Sequence, residues 1–286
     1  MQALPVLSLL FAATFWGTVW YPLRLLAEAG VAGLWQALIS YLAATAVVLP
    51  IYWSRRAELR GRSASLVPLT LAAGWCNVGF MLGMLEGTVL RVLLLFYLAP
   101  VWAVLLARLM LGERLAPRTA VALPMALVGA ALMLYDPALG RPLPTDRADW
   151  LGLTAGFAFA ITTVEARRLQ SITVTAKTLA SWIGVILIAA VGLALGGQPI
   201  PDAPAGAWVG TVLLGCTGFL VTTLAVQYGA TRLPVQRTTV ILLFEIVVGA
   251  VSSAWLAGEY TEPREWLGGL LIAGAGLAAA KANEVG

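Results

Sequence analysis

Residues 93–134, LLLFYLAPVWAVLLARLMLGERLAPRTAVALPMALVGAALML, hold two long apolar runs joined by a short polar turn. A helix of about 20 apolar residues crosses the hydrocarbon core of a bilayer. Gly112 suits the left-handed position that ends a helix, and Pro117 suits the first turn of the next helix, where its missing N–H costs nothing. The stretch therefore predicts two antiparallel membrane helices joined by a tight turn.

Similar apolar runs fill the rest of the chain. Of its 286 residues, 60% are hydrophobic and 11% are charged, whereas soluble domains carry roughly 25% charged residues. The runs do not alternate polar and apolar residues, as the strands of a membrane barrel do. We therefore predict an all-α membrane protein with ten transmembrane helices. The predicted spans are 4–22, 31–53, 66–85, 89–107, 118–135, 150–166, 173–195, 206–228, 236–256 and 264–282.

The basic residues predict the orientation of these helices. If the N-terminus is cytoplasmic, thirteen of the 18 Lys and Arg residues fall on the cytoplasmic side. Cytoplasmic loops carry such an excess, so both termini are predicted in the cytoplasm. The short chain and its excess of arginine over lysine favour a bacterial inner membrane. The five basic residues on the other side are Arg24, Arg91, Arg141, Arg147 and Arg264.

A weak internal repeat divides the chain into two halves. The pattern GExxxPR at 112–118 recurs at 258–264, 146 residues later, and Arg24 matches Arg168 at an offset of 144. We predict a first five-helix repeat at 1–135, an extracytoplasmic linker at 136–149 and a second five-helix repeat at 150–286. Because five is odd, the two repeats are inverted in the membrane, an arrangement typical of secondary transporters.

Three segments resemble a known family. Residues 93–134 and 241–277 are similar to the C-terminal part of an EamA domain of the drug/metabolite transporter (DMT) superfamily, and FAATFWG (11–17) matches the opening helix of that family. The resemblance implies ten helices, with the first, third, fourth, sixth, eighth and ninth lining a cavity. Within the superfamily, the first half resembles the YddG-type aromatic amino acid exporters. The family's proline is present as Pro100, but Ile246 replaces it in the second half, which predicts less helix bending there.

Two polar side chains lie deep inside predicted spans. A charge such as Glu245 inside a membrane is costly unless it faces a polar cavity or takes up a proton. Glu245 is therefore either a partner for a substrate amine or proton, or a hydrogen-bonded structural residue. Asn77 needs hydrogen-bond partners in hydrocarbon, and it either binds a substrate or joins two helices.

Further candidates for substrate binding are mid-span side chains. Aromatic rings away from the membrane interface can line a pocket and stack on an aromatic ligand, although packing between helices explains them as well. Two threonines of the sixth span can add hydroxyl groups to the same cavity. These candidates are Trp16, Phe80, Met81, Tyr97, Trp102, Thr162 and Thr163.

Two residues are candidate hinges. Pro100 removes a helical N–H and frees the carbonyl group of Phe96, so it predicts a kink beside Tyr97, either as a hinge or as a static bend. Gly17 allows close backbone approach beside Trp16. Gly192 and Gly196 form a Gly-x-x-x-Gly pair that allows a close contact inside the fold or between two copies in a homodimer.

The sequence carries no pattern of an enzyme. It holds no Walker motif, no histidine and no nucleophile–base pair, so we predict no enzymatic activity, no cofactor and no metal. The net charge of +4 follows from the loop arginines and requires no nucleic acid. The partners expected are a small-molecule substrate and membrane lipid.

We predict a secondary transporter that exports aromatic and other apolar amino acids, or related small metabolites, by alternating access. A cation-drug/proton antiporter that uses Glu245 is the alternative, followed by a non-transporting scaffold or a lipid-handling enzyme.

Overall fold

The computed structural model describes residues 3–55, 63–112, 117–136, 141–230, 232–233, 241–260 and 262–282. Almost all of this part of the chain is helical. The helices are α1 (Ala3–Thr18), α2 (Trp20–Glu28), α3 (Gly33–Arg55), α4 (Ser63–Glu86), α5 (Val89–Phe96), α6 (Ala99–Leu111), α7 (Pro117–Leu134), α8 (Arg147–Arg168), α9 (Val174–Leu195), α10 (Ala205–Leu213), α11 (Leu220–Ala230), α12 (Phe244–Leu256) and α13 (Pro263–Ala282), and a π-helical turn, Leu214–Phe219, joins α10 to α11.

Six stretches of the described chain are long and apolar enough to cross a membrane, and α12 is a shorter apolar helix. Large apolar side chains are exposed on the outer faces of the helices, such as Leu109 (80%) and Leu270 (68%), which suits contact with lipid rather than water. The chain is therefore a multi-pass membrane protein. The six stretches are Ala3–Glu28, Gly33–Pro50, Ala64–Glu86, Val89–Met110, Val174–Leu195 and Ala205–Gly229.

Helices lie at all ten predicted positions. The three helices α7, α8 and α13 are not among the six candidate spans of the described residues. One of them, α8, carries Asp149 in its first turn and Arg167 and Arg168 in its last. The count of ten transmembrane helices therefore stays a prediction.

Glycines and polar caps set several helix ends. Gly112 follows α6 with φ 68° and Gly258 follows α12 with φ 63°, so the left-handed conformation predicted for Gly112 is confirmed and recurs in the second half. At the start of α8, the side chain of Asp146 accepts a hydrogen bond from the backbone N–H of Asp149 at 2.8 Å. Such a cap satisfies one of the amides that a helix leaves free at its N-terminus.

The packing joins helices of one predicted half to helices of the other. Three helices of the first half, α4, α1 and α7, pack on helices of the second half. Helix α4 packs on α8 and α9, α1 packs on α11 and α12, and α7 packs on α13. Glycines bring some of these backbones close: a Cβ atom added to Gly129 of α7 would lie 2.6 Å from the carbonyl oxygen of Gly268 on α13. Small residues at such contacts are typical of membrane helices.

The predicted linker, 136–149, is not wholly irregular. Tyr135–Asp136 and Arg141–Pro142 form two short antiparallel strands, in which Tyr135 lies opposite Pro142. Helix α8 begins inside the predicted linker, at Arg147, after the Asp146 cap. The all-α fold class is confirmed, since the hairpin contains four residues only, and the division of the chain at the linker stays a prediction.

Candidate functional site

A cavity of about 360 Å³ lies between helices of both predicted halves. It is midway along them: Tyr97 lies eight residues beyond the start of α5, which is roughly 12 Å at 1.5 Å per residue. The helices that line it are α1, α4, α5 with α6, α8, α11 and α12, which correspond to the first, third, fourth, sixth, eighth and ninth predicted spans. Helix α13, the tenth span, lines it as well. The lining residues are Trp16, Cys76, Asn77, Phe80, Phe96, Tyr97, Ala99, Phe159, Val226, Leu242, Leu243, Glu245 and Ile272.

A carboxyl group and a phenol meet at this cavity. The Tyr97 hydroxyl donates a hydrogen bond to Oε2 of Glu245 at 2.7 Å, and it lies 3.3 Å from the carbonyl oxygen of Leu242. Glu245 is only 8% exposed. Among the described residues, no Lys or Arg forms an ion pair with Glu245, so its carboxyl group is suited to a cationic group of a ligand.

The amide of Asn77 is held beside the same cavity. The Tyr41 hydroxyl donates to Oδ1 of Asn77 at 2.6 Å, and Nδ2 of Asn77 donates to the carbonyl oxygen of Ala73 at 2.8 Å. A side-chain amide has two N–H groups, and the described residues supply an acceptor for one of them. Asn77 therefore joins α3 to α4 through Tyr41, and its role in substrate binding stays a prediction.

Aromatic rings form most of the cavity wall. Trp16 meets Phe80 edge to face at 6.1 Å between ring centroids, Phe80 meets Phe96 at 5.0 Å, and Phe96 meets Phe159 at 5.4 Å. On its other side, Trp16 stacks on Phe219 at 5.6 Å. Because the rings hold one another in place, the wall is a preformed apolar surface for a flat or apolar side chain.

Two helix interruptions meet at the cavity. The first separates α5 from α6 at Tyr97 and Leu98, and the second is Leu243, between the helical residue Leu242 and α12. Tyr97 and Leu243 are 146 residues apart, the same offset as the GExxxPR pattern. Discontinuous helices at the membrane midplane are typical of transporter binding sites, because their ends present free backbone groups.

Five of the nine predicted binding residues line the cavity: Trp16, Asn77, Phe80, Tyr97 and Glu245.

The other four predicted binding residues lie away from the cavity. Met81 is 2% exposed and packs in the main apolar core. Trp102, on α6 beyond the interruption at Tyr97 and Leu98, meets Phe157 of α8 at 5.7 Å between ring centroids. Thr162 and Thr163 each donate to a carbonyl oxygen of their own helix at 2.9 Å, a use of threonine hydroxyls that is common inside helices.

The candidate hinge at Gly17 is a helix contact. A Cβ atom added to Gly17 would lie 2.8 Å from the carbonyl oxygen of Glu245 and 2.8 Å from Cβ of Val248. Gly17 thus lets α1 approach α12 beside the cavity, and it is the last residue but one of α1, two residues before the interruption at Val19. The close approach predicted for Gly17 is present, and its role as a hinge stays a prediction.

The candidate hinge at Pro100 lies in the first turn of α6, and its side chain is outside the described residues. The predicted interruption beside Tyr97 is present. The Phe96 carbonyl group does not point to free space, since a Cβ atom added to Gly156 of α8 would lie 2.5 Å from its oxygen. The close backbone of α8, rather than a ligand, covers that group.

The comparisons with known proteins agree with this architecture. The model of the EamA-like transporter family matches residues 3–135 and 146–279. The chain belongs to the EamA-like transporter family. The members of this family are transporters, not enzymes.

Two individual proteins are similar to this transporter. An "Uncharacterized transporter" from Archaeoglobus fulgidus is 29% identical over 184 residues, which are 63% of this chain and 62% of the relative. The match thus spans less than two thirds of that relative's length. A solved crystal structure superposes with a TM-score of 0.63 at 17% identity and covers 96% of this chain and 97% of its own. This second likeness concerns the fold alone.

The sequence reasoning missed several residues of the transporter's cavity. Phe96 and Phe159 complete the aromatic wall, Cys76 lines it, and Tyr41 holds Asn77 from outside it. Phe159 carried a signal, because it matches Phe15 at the offset of 144. Among the described residues, no cluster of three or more Cys, Asp or Glu side chains could hold a metal ion.

Proposed function

We propose that this transporter exports amino acids with aromatic or other apolar side chains, or related small metabolites, by alternating access through the cavity. The observation that carries the proposal is the Glu245–Tyr97 pair on the edge of an aromatic wall. Glu245 would receive the substrate's ammonium group, and the rings of Trp16, Phe80 and Phe159 would enclose its side chain. The spare N–H of Asn77 would donate to its carboxylate.

The size of the cavity supports a substrate of this kind. Small-molecule sites measure roughly 300–1,000 Å³, and this cavity, at about 360 Å³, is near the lower end of that range. It suits a single amino acid better than a large drug. An apolar wall with a few converging polar groups is also the usual composition of such sites.

A second candidate function is a cation/proton antiporter that uses Glu245. It is favoured by the charge of the cavity, because the described lining residues include one acid and no Lys or Arg. A zwitterion gains an ion pair there for its ammonium group alone, whereas a lipophilic cation gains the same pair without a carboxylate to accommodate. Substrate charge therefore separates the two candidates.

Flux through proteoliposomes tests the proposal. Labelled tryptophan, phenylalanine and tetraphenylphosphonium are loaded separately, and efflux is measured with and without a pH gradient. Amino acid efflux supports the first candidate, and efflux of the cation alone, driven by the pH gradient, supports the second. If none of the three compounds is transported, both candidate functions are contradicted.

The variant Glu245→Gln tests the role of the carboxylate. Hydrogen bonds to charged groups contribute about 1.5–3 kcal/mol, so we expect amino acid efflux at low substrate concentration to fall at least tenfold (~1.4 kcal/mol). The matched control is Glu28→Gln, which removes an exposed acid at the end of α2. Full efflux in both variants would remove Glu245 from the binding site.

The remaining features of the proposal follow from sequence. We infer two inverted five-helix repeats, 1–135 and 150–286, in a bacterial inner membrane with both termini in the cytoplasm. The two separate family matches, 3–135 and 146–279, support a repeat. A homodimer through Gly192 and Gly196 stays a proposal, and inside the fold Gly192 already contacts Leu34, which lies 2.7 Å from an added Cβ.

A further inference from the structure

Ion pairs join the two halves at one end of the helix bundle, called here the Arg24 end. At this end α2, α4 and α12 finish and α5, α8 and α13 begin. Arg24 pairs with Glu259 at 2.8 Å. Arg91 pairs with Asp149 at 2.6 Å and with Glu265 at 3.3 Å.

Two of these three pairs cross between the predicted halves. Arg24 and Arg91 belong to the first half and Glu259 and Glu265 to the second, whereas Asp149 is the last residue of the predicted linker and lies in the first turn of α8. Backbone contacts fix the groups further: Arg24 also donates to the carbonyl oxygens of Met84 and Gly87, and Glu259 accepts the N–H of Val89 at 2.9 Å. The ends of α4 and α5 are thereby fastened to the loop between α12 and α13.

A packed apolar layer separates the ion pairs from the cavity. Leu93, Met84 and Trp20 are at most 1% exposed and belong to one buried cluster. Trp20 of the first half also donates to the Ser252 hydroxyl of the second at 3.0 Å. Arg91 precedes Tyr97 by six residues, roughly 9 Å along a helix, so the cavity is shut at this end by ion pairs outside and apolar packing inside.

The exposure of the ion pairs suits a contact that opens and closes. The side chain of Arg24 is 24% exposed and that of Glu259 is 14% exposed, and Arg91 is 19% exposed. Water already reaches Arg24, Glu259 and Arg91, so separation of the Arg24–Glu259 pair leaves solvated charges, whereas Asp149 is only 1% exposed and the loss of its partner is more costly. An ion pair that stayed closed throughout the cycle would not need to be accessible to water.

We propose that the ion pairs of Arg24 and Arg91 form a gate that closes the transport cavity at the Arg24 end and separates once in each cycle. The gate rests on the proposed alternating access. For a substrate to pass this end, α2, α4 and α5 must move away from α8, α12 and α13, and that movement breaks every one of these pairs.

A native cysteine offers a readout that needs no substrate. Cys76 lines the cavity, so its labelling by a membrane-impermeant maleimide, in a Cys216→Ser background, reports whether the cavity is open to the face on which the reagent is added. A second labelling experiment shows which side of the membrane the Arg24 end faces. It uses Ile200→Cys in a protein without the two native cysteines, because Ile200 is 74% exposed and lies between α9 and α10 at that end.

Removal of either acid should open the gate. We expect Glu259→Gln and Asp149→Asn each to raise Cys76 labelling from the Arg24 face about tenfold, the factor given by loss of one hydrogen-bonded charge pair. The matched control is Glu262→Gln, which removes an acid at the same end whose pair with Arg264, at 2.6 Å, stays within the second half. This control should label like the unsubstituted protein.

A charge exchange separates gating from misfolding. Arg24→Glu and Glu259→Arg should each raise labelling, and the double variant should lower it again, because the pair is restored with opposite polarity. Unchanged labelling in both acid variants, or an equal rise in Glu262→Gln, would overturn the gate. Labelling that shifts as expected without amino acid efflux would leave the gate standing and contradict the proposed substrate, whereas efflux without a labelling shift would contradict the gate alone.

Discussion

The contact at Gly17 yields a prediction that distinguishes a hinge from a packing site. In Gly17→Ala, the new Cβ would stand 2.8 Å from the Glu245 carbonyl oxygen, whereas ordinary contact begins at 3.4 Å. Helices α1 and α12 must therefore separate by roughly 0.6 Å beside the cavity. Overpacking of this kind costs about 1–3 kcal/mol.

Thermal unfolding in detergent measures this cost. For proteins of 150–250 residues, 1 kcal/mol shifts the unfolding midpoint by about 2–4 °C, so we expect Gly17→Ala to unfold ~2–12 °C below the unsubstituted protein. Efflux should fall as well, because Glu245 moves with the backbone of α12.

The matched control for this prediction is Gly206→Ala on α10, where an added Cβ meets no atom within 4 Å. Alanine is more favourable than glycine inside a helix by roughly 0.5–1 kcal/mol, so this variant should be at least as stable as the unsubstituted protein. A hinge at Gly17 predicts a different pattern, with lower efflux and an equal or higher unfolding midpoint. If Gly17→Ala unfolds at or above the midpoint of Gly206→Ala, the packing argument fails.

Three further variants test the cavity and its closure. Tyr97→Phe removes the hydrogen bond to Glu245, and efflux at low substrate concentration should fall about tenfold, since bonds to charged groups contribute ~1.5–3 kcal/mol; unchanged efflux would show that Glu245 needs no positioning. Thr163→Val should leave efflux within about twofold, because its hydroxyl bonds only to its own helix, and a larger fall would restore Thr163 to the site. Arg168→Gln removes the arginine that matches Arg24 in the repeat but lies at the opposite end, so Cys76 labelling from the Arg24 face should not rise.

Local features of the fold were predictable from sequence. The apolar runs placed the helices, since an apolar stretch of membrane length has few alternatives to a helix. Gly112 was predicted to end a helix because only glycine adopts a positive φ at no cost. Glu245 and Asn77 were found because a polar group inside an apolar span needs a partner.

Contacts between distant helices were not predictable. Arg24 and Glu259 are 235 residues apart, and the sequence assigned their charges to a membrane face without pairing them. Trp102 and Phe159 are both mid-span aromatics, yet one packs on α8 and the other lines the cavity. Hydropathy does not say which face of a helix meets which neighbour. For this reason four of the nine predicted binding residues lie away from the cavity.

The two helix interruptions show how the halves depend on each other. In the first half, Pro100 lacks the N–H that would continue the helix, and the interruption covers Tyr97 and Leu98. In the second half Ile246 stands in place of that proline, its N–H bonds to the carbonyl oxygen of Leu243 at 3.1 Å, and the interruption is Leu243 alone. The interruption is shorter there, and the milder bend expected from the sequence stays a prediction.

An interruption without proline needs another source of stabilisation. The Tyr97 hydroxyl supplies it, because it lies 3.3 Å from the carbonyl oxygen of Leu242 while it holds Glu245. One residue of the first interruption thus bonds to one side of the second, at Glu245, and contacts the other side, at Leu242. A movement that separates α5 from α12 must release the Leu242 carbonyl group and the Glu245 carboxyl group together, so a change in backbone shape and a change in the binding site would occur in the same step.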